Sequence, residues 1–305
     1  MEISKSGERK LIEKIWKTMG EENEDEDVHF ISSGDKYLLL AVDTINEGYH
    51  FNRSWDPGKI GKFLVDINLS DIAAKNGKPL EMMVSFSFPR MLEESWVIRL
   101  VKGIKGEVKK YHVKFSGGDL KESDKISLTG IVIGEVKRGK EFRRKGARPG
   151  DYVYISSTIG RNERAIIDYY KGKLTTPEKI IDITPRLDML ELLNRFRISS
   201  CIDNSDGVYK SLSLLSKMSG VSIKIERDVS ENSKDDGERV AIYATGGDYE
   251  LIFTSPQKID EFPIIGRVSK GRGIVDMNGE SNIPDGFDHF RSIHARTPMG
   301  RRKIA

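Results

Sequence analysis

In this 305-residue chain, the side chains best placed to do chemistry are concentrated in Cys201-Ile202-Asp203-Asn204-Ser205-Asp206-Gly207. Two carboxylates and a hydroxyl fall within four residues, then Gly, then a helical pattern. An apolar lead-in through Phe196 and Ile198 makes the layout strand, acidic turn, helix. Backbone N–H groups at a helix start attract anions, yet two Asp placed there repel a bare phosphate. A hard divalent cation resolves the conflict, because Mg²⁺ takes oxygen ligands and bridges carboxylate to phosphate. The competing reading is local: Asp206 caps the following helix beside a turn. Single Asp residues recur after apolar runs at Asp43, Asp71 and Asp119, which strengthens the metal reading.

Other chemistries lack their residues. No G-x-x-x-x-G-K-[ST] loop, no G-x-G-x-x-G between strand and helix, no H-E-x-x-H and no G-x-S-x-G elbow occurs. Cys201 is the only cysteine, so the chain has neither an internal disulfide nor a Cys-based zinc site. No motif supports Cys201 as a nucleophile, and a buried apolar thiol is its plain alternative. Carboxylates on turns, Gly-rich backbone and Arg suit Mg²⁺-nucleoside triphosphate chemistry, in which positioning and electrostatics dominate and no covalent nucleophile is needed.

The elements that must position these residues can be read in outline. Leu11, Ile12, Ile15, Trp16 and Met19 share one helical face over residues 7–19, with Ser6 as N-cap. The acidic run from Glu21 to Asp27 reads as a solvated loop, with Asp27 the exception. Tyr37 to Val42 is fit for a buried strand and ends at Asp43, where a buried carboxylate needs a partner or a metal. Pro57 to Gly77 reads as a helix whose stripe, Ile60, Phe63, Leu64, Ile67 and Ala74, has Asp71 at its centre. Alternatively, the helix breaks at Asn68-Leu69-Ser70 and a second one is capped there.

A strand over residues 82–88, a helix over 92–108, a strand over 111–115 and a strand over 126–136 follow. Ser116-Gly117-Gly118-Asp119 reads as a turn, either a plain β-turn or one able to hold metal and phosphate together. The Lys-, Arg- and Gly-rich stretch 137–151 marks a domain boundary, placed so that residues 1–145 and 146–305 form two domains. Downstream come a strand at 152–156, helices at 162–171, 185–196 and 208–219, a strand at 221–225 and a polar loop at 230–239. A second Gly-Gly-Asp turn, Gly246-Gly247-Asp248, feeds the strand that includes Leu251-Ile252-Phe253. The final fifteen residues, with His294 and Arg296, read as a loose tail.

Composition agrees with a soluble two-domain protein: 37% hydrophobic, 32% charged, and 50 basic against 47 acidic residues for a net charge of +3. That balance is no nucleic-acid footprint, and Arg143-Arg144-Lys145 reads as a local anion patch. No apolar run is long enough to span a bilayer and the N-terminus has no secretory core, so no membrane partner and a cytoplasmic location are the defaults. Scarce Gln with abundant Lys, Glu and Ile leans toward a thermophile.

Taken in order, the motifs resemble those of the thiamine-monophosphate kinase family, in the superfamily that includes aminoimidazole ribonucleotide synthetase. The resemblance runs from Val42-Asp43-Thr44 through Glu47-Gly48-Tyr49-His50-Phe51, Ile60-Gly61 and Asn68-Leu69-Ser70-Asp71-Ile72-Ala73-Ala74. It continues through Gly117-Gly118-Asp119, residues 146–151, Asp203 to Gly207 and Asp248-Tyr249-Glu250-Leu251, and closes at Gly286-Phe287-Asp288-His289-Phe290. It implies ATP-dependent phosphorylation of thiamine monophosphate to thiamine diphosphate, by direct transfer with several Mg²⁺ ions. It also implies a homodimer: the N-terminal α+β domain contributes to a shared β-barrel, and the C-terminal domain is α/β. By motif position, Asp27, Asp43, Asp71, Asp119, Asp203 and Asp206 correspond to metal ligands. Gly118, Asp119, Arg144, Ser205 and Tyr111 correspond to ATP contacts, and His50 and Phe287 to substrate contacts. Asp248 is expected to compensate at the substrate site for a missing Glu.

Three departures stand out. The early Gly-Asp-Asp-Ala motif is Asp25-Glu26-Asp27-Val28, Val42 replaces a frequent hydroxyl, and Gly247 stands where the family has a Glu. They leave open a binding protein that has lost catalysis, or a same-fold kinase acting on another small phosphorylated metabolite. Relatives fit less well. The Gly-Val-Gly-Thr-Lys pattern of the synthetase is absent, the C-terminal Cys of the hydrogenase-maturation relative is replaced by Lys303-Ile304-Ala305, and no Cys precedes residue 201 to serve a selenophosphate synthetase.

Overall fold

The computed structural model describes residues 2–290 apart from 23, 171, 175, 232 and 234; the expected tail lies outside the described residues. Two short helices open the chain, α1 (Ile3–Ser6) and α2 (Glu8–Met19). A five-stranded sheet follows, built from β1 (His29–Ser33), β2 (Lys36–Asn46), β3 (Lys78–Phe88), β4 (Lys114–Glu122) and β5 (Ser127–Lys137) in the order β1-β2-β5-β3-β4. Only the β3–β4 pair is parallel. Helices α3 (Pro57–Ala74) and α4 (Glu94–Lys110) cover one face, onto which Leu39, Ala41, Ile45, Met82, Val84, Leu128 and Val132 turn their side chains.

Alternation along the strands sends the other residues to the opposite face. There Ile31, Leu40, Val42, Met83 and Ile133 remain between 36% and 62% exposed. The sheet is thus a half-barrel with an uncovered apolar side. Val42, the residue that replaces a hydroxyl, lies on that side and points away from its neighbour Asp43.

Helix α3 runs without a break, which settles the choice left open at Asn68-Leu69-Ser70. Asp56 caps it, accepting from the Gly58 N–H at 2.6 Å, and Pro57 sits in its first turn. Nearly every side chain along it is buried, because the helix is sandwiched between the first sheet and the second half of the chain. A Cβ on Gly61 would overlap the Leu100 carbonyl, so that glycine allows α3 and α4 to touch.

The second sheet has the order β11-β8-β10-β6-β9-β7. Its strands are β6 (Tyr152–Ile155), β7 (Ser200–Asp203), β8 (Ser222–Ile225), β9 (Leu251–Ser255), β10 (Ile264–Ser269) and β11 (Gly273–Val275). Helices α5 (Arg161–Tyr170), α6 (Leu190–Leu193), α7 (Val208–Ser219) and α8 (Asp236–Thr245) complete it. The two-domain, mixed α and β expectation holds. Four local expectations do not. The stretch 116–119 is the middle of β4 rather than a turn, α8 begins inside the expected polar loop, and the helix expected at 185–196 is a 3₁₀ turn followed by the short α6. Ser6 does not cap α2 either; the first N–H, of Glu8, is met by Asp288 at 3.0 and 3.1 Å.

Candidate active site

The strand–turn–helix at residues 200–219 forms as expected. β7 delivers Asp203 at its end, the turn carries Asn204, Ser205 and Asp206, and Gly207 at φ +101° opens α7. A Cβ on Gly207 would stand 2.8 Å from the Tyr243 carbonyl, so the turn needs glycine for both its conformation and its packing.

Against this turn the first domain brings three more carboxylates: Asp71 from the interior of α3, Asp43 from the covered face of β2, and Asp27 from the loop before β1. Oxygens of Asp27, Asp71 and Asp203 lie within 4.8 Å of one another. Asp43 and Asp206 border the same group. Burial and the charge of Asp206 push the Asp43 carboxyl up to about 7. Burial, with Asp43 and Asp203 nearby, pushes Asp71 well above the usual carboxylate range, and burial with Asp27 pushes Asp203 up to about 7. Five carboxylates from two domains thus gather at one spot, and for Asp43, Asp71 and Asp203 burial and mutual repulsion resist ionisation. Every donor is a hard oxygen, the set that suits Mg²⁺.

Two cations sit behind the cluster. Arg144 bonds Asp27 through Nε at 3.1 Å and through a second guanidinium nitrogen, and it donates to the Asp25 carbonyl at 2.9 Å. Lys75, fully buried at the end of α3, donates to Glu26 at 2.6 Å and to the Cys201 carbonyl at 3.3 Å. Its ammonium also lies 2.6 Å from Asp27 Oδ2, an ion pair without hydrogen-bond alignment. Burial alone would raise Asp27, but the charges of Arg144 and Lys75 outweigh it and hold that carboxyl below its ordinary range. Ser70 donates to Asp203 at 2.9 Å and fixes its rotamer. The Tyr249 hydroxyl is held neutral, first by burial and then by Asp43 and Asp203. Lys75, Glu26, Ser70 and Tyr249 went unassigned from sequence, although Ser70 and Tyr249 lie inside recognised motifs.

A second group of residues lies at the edge of the turn. His50 accepts from the Asn46 N–H through Nδ1 at 3.0 Å. Burial, then the nearby His289, pushes its pKa down to about 4, so the neutral ring carries its proton on Nε2 and can donate from there. His289 packs 5.6 Å from His50 and 4.8 Å, edge to face, from Phe287. Phe287 is tied to the acidic turn through its own N–H to the Asp206 carbonyl at 3.0 Å. Beside Glu26 a cavity of about 350 Å³ is lined by Glu24, Glu26, Arg143, Lys145 and Met218. Arg143 and Lys145 of the expected anion patch line it, whereas Arg144 turns inward to Asp27.

Not every expected residue converges. Gly118 and Asp119 lie on the edge strand β4, which β5 and β3 separate from β2 and Asp43. At about 4.8 Å per strand that is roughly 14 Å. Asp119 is solvent-exposed and paired with Lys121 at 2.8 Å. Tyr111 ends α4, and the charges acting on it are those of Asp66, Lys110 and Glu107 rather than those of the cluster. Asp248 accepts from the N–H groups of Gly160 at 2.8 Å and Asn162 at 3.1 Å, which places both its oxygens at the start of α5. Each oxygen accepts one backbone N–H there, which gives Asp248 a capping role in addition to the substrate contact expected of it.

Residues 24–136 match the family model for the AIR synthase related protein N-terminal domain. A thiamine-monophosphate kinase of Aquifex aeolicus is 30% identical over 95% of this chain and 100% of its own length. The chain belongs to the thiamine-monophosphate kinase family. The family member from Pyrococcus horikoshii is 33% identical over 82% of this chain and 84% of its own. A solved structure described as AaThiL complexed with AMPPCP and TMP superposes with a TM-score of 0.85 at 29% identity, covering 95% of this chain and 99% of that one. Among the described residues no helix is long and apolar enough to cross a membrane.

Proposed function

We propose that this protein transfers the γ-phosphoryl group of ATP to the phosphate of thiamine monophosphate, giving thiamine diphosphate and ADP. The observation that carries the reading is the convergence of Asp27, Asp43, Asp71, Asp203 and Asp206 from two domains on one point. These carboxylates would hold Mg²⁺, which when bound neutralises triphosphate charge. Arg144 and Lys75 keep Asp27 ionised and aimed, and the Ser70 hydroxyl orients Asp203. His50 Nε2–H supplies a neutral donor for the acceptor phosphate. The Phe287 ring offers a flat apolar face to the heterocycle. No side chain is required as a covalent nucleophile, and Cys201, fully buried with its thiol pushed well up by burial, is excluded from that role by its surroundings.

The protein acts as a homodimer in this reading. The uncovered face of the half-barrel, with Ile31, Leu40, Val42, Met83 and Ile133, supports pairing with a second copy. Asp119 shares that uncovered side with Ser85 by strand register, so the partner's β4 can bring Gly118 and Asp119 to the cluster that they do not reach within one chain. The first domain is drawn as residues 1–145 and the second as 146–305, and a cytoplasmic biosynthetic role follows.

Purified protein mixed with ATP, Mg²⁺ and thiamine monophosphate is expected to form thiamine diphosphate and one ADP per product, resolved by chromatography. ADP release without thiamine diphosphate would overturn the acceptor. A second reading, binding without turnover, draws on Gly247, which has no side chain to replace the missing Glu, and on Asp248, which also caps α5. Tight binding of both substrates with no product over hours would favour it.

A further inference from the structure

Lys210, on the first turn of α7, meets three separate parts of the molecule. Its ammonium donates to Asp206 Oδ2 at 2.6 Å and to the Phe287 carbonyl at 2.9 Å, and lies 3.6 Å from a carboxylate oxygen of Glu8. The segment Gly286–Phe290, which carries Phe287 and His289, is pressed onto the acidic turn. A Cβ on Gly286 would collide with the Asp206 carbonyl and with the Lys210 side chain, and the Phe287 N–H bonds that same carbonyl. On its far side the segment is held by Asp288, which caps α2 at Glu8.

We propose that Lys210 is a positioning residue that couples the ion-binding turn to the ring-bearing segment of the substrate pocket, favouring thiamine phosphate at the expense of the cation. The inference rests on the functional reading above. Its two effects have opposite signs. The bond to the Phe287 carbonyl keeps the Phe287 and His289 rings beside His50, which assists binding of the aromatic substrate. The positive charge on Asp206 Oδ2 leaves that carboxylate less able to attract a divalent ion. A residue serving only packing has no reason to improve ion binding when removed.

The test uses the full-length protein and its Lys210→Met and Lys210→Arg variants, compared by thermal unfolding first. Calorimetric titration with thiamine monophosphate in EDTA reads the first effect. Mn²⁺ binding followed by electron paramagnetic resonance, without nucleotide, reads the second. Loss of one charged hydrogen bond predicts thiamine phosphate affinity reduced about tenfold in Lys210→Met. Mn²⁺ affinity is expected to rise by about threefold or more, and Lys210→Arg should restore both toward wild type. Unchanged or weaker Mn²⁺ binding in a folded Lys210→Met variant overturns the proposal, as does thiamine phosphate affinity equal to wild type. If wild-type protein fails to bind thiamine monophosphate at all, the functional reading fails instead, and the Mn²⁺ arm still reports on Lys210.

Discussion

The chain contains the tripeptide Gly-Gly-Asp twice, and the two copies have opposite fates. In Gly117-Gly118-Asp119 both glycines also take positive φ, but the backbone stays in an edge strand just past a register shift, and the Asp119 side chain is 55% exposed. In Gly246-Gly247-Asp248 both glycines take positive φ, and Asp248 is 7% exposed with its carboxylate accepting from two backbone N–H groups. Neighbouring structure, not the tripeptide, decides. Gly118 is needed because a Cβ there would overlap the Val84 carbonyl of the adjacent strand, whereas Gly246 and Gly247 are needed for the turn between α8 and β9. The first copy keeps its carboxylate at the surface, held within this chain by Lys121, and the second turns its carboxylate inward onto the start of α5.

The strongest way to break that contrast is to remove each Asp. Asp119→Asn and Asp71→Asn should each lower turnover by roughly 100-fold or more while leaving the melting temperature nearly unchanged. Mixing and re-equilibrating the two inactive variants should then restore roughly a quarter of wild-type activity. Half the dimers are mixed, and each has one site with both Asp residues intact. Activity that stays at the level of the single variants would remove Asp119 from the partner's site.

Asp248→Ala should have the reverse signature. Two N–H groups at the start of α5 lose their acceptor, at a cost of about 2 kcal/mol, or roughly 4 °C in melting temperature. Turnover should remain within about threefold of wild type. A large loss of activity with no loss of stability would place Asp248 at the substrate site alone.

The cluster itself should be sensitive to pH. Asp43 and Asp203 sit near 7 in the fold against 3.8 ordinarily. Between those values the folded chain holds protons that the unfolded chain has released, so stability contributed by these groups is present at low pH and is lost as pH rises through about 7. In EDTA the melting temperature is expected to fall by about 5 °C from these groups between pH 5 and pH 8, and Mg²⁺ should flatten that fall. A melting temperature that climbs over this range in EDTA would contradict the crowding.

The smallest effect concerns Gly247. Its φ is +86°, and a Cβ would stand 2.8 Å from the Asn162 side chain. Gly247→Glu should therefore cost about 1 kcal/mol rather than restore a family contact, visible as a lowered denaturant midpoint with no gain in affinity for thiamine monophosphate.

Much of this was legible in the sequence, because its signals were local. Apolar runs ending in Asp gave β2 and β7, and the stripe around Asp71 gave α3, though only the structure decides that it runs unbroken through Asn68-Leu69-Ser70. What escaped was whatever depends on distant partners. Lys75 stands in a polar Lys75-Asn76-Gly77 stretch that looks like a solvated helix end, and only Glu26 and Cys201 arriving from elsewhere make it a buried counter-charge. Residues 116–119 looked like a turn because paired Gly usually is one, and no local feature reveals that β3 approaches closely enough to demand it. Helix α8 was missed although its signal was present: Asp235 accepts from the Glu238 N–H at 2.8 Å, and an acceptor followed three residues later by Glu marks a helix start.

The contact between Asp288 and the Glu8 N–H joins residues 280 positions apart. Closing a loop that long is entropically unfavourable until the intervening chain is already folded. The ring-bearing segment should therefore be among the last parts to dock in refolding. During synthesis the metal turn can form while the substrate pocket is still unmade, so a nascent chain stalled before its last twenty residues would chelate ions yet fail to recognise the vitamin.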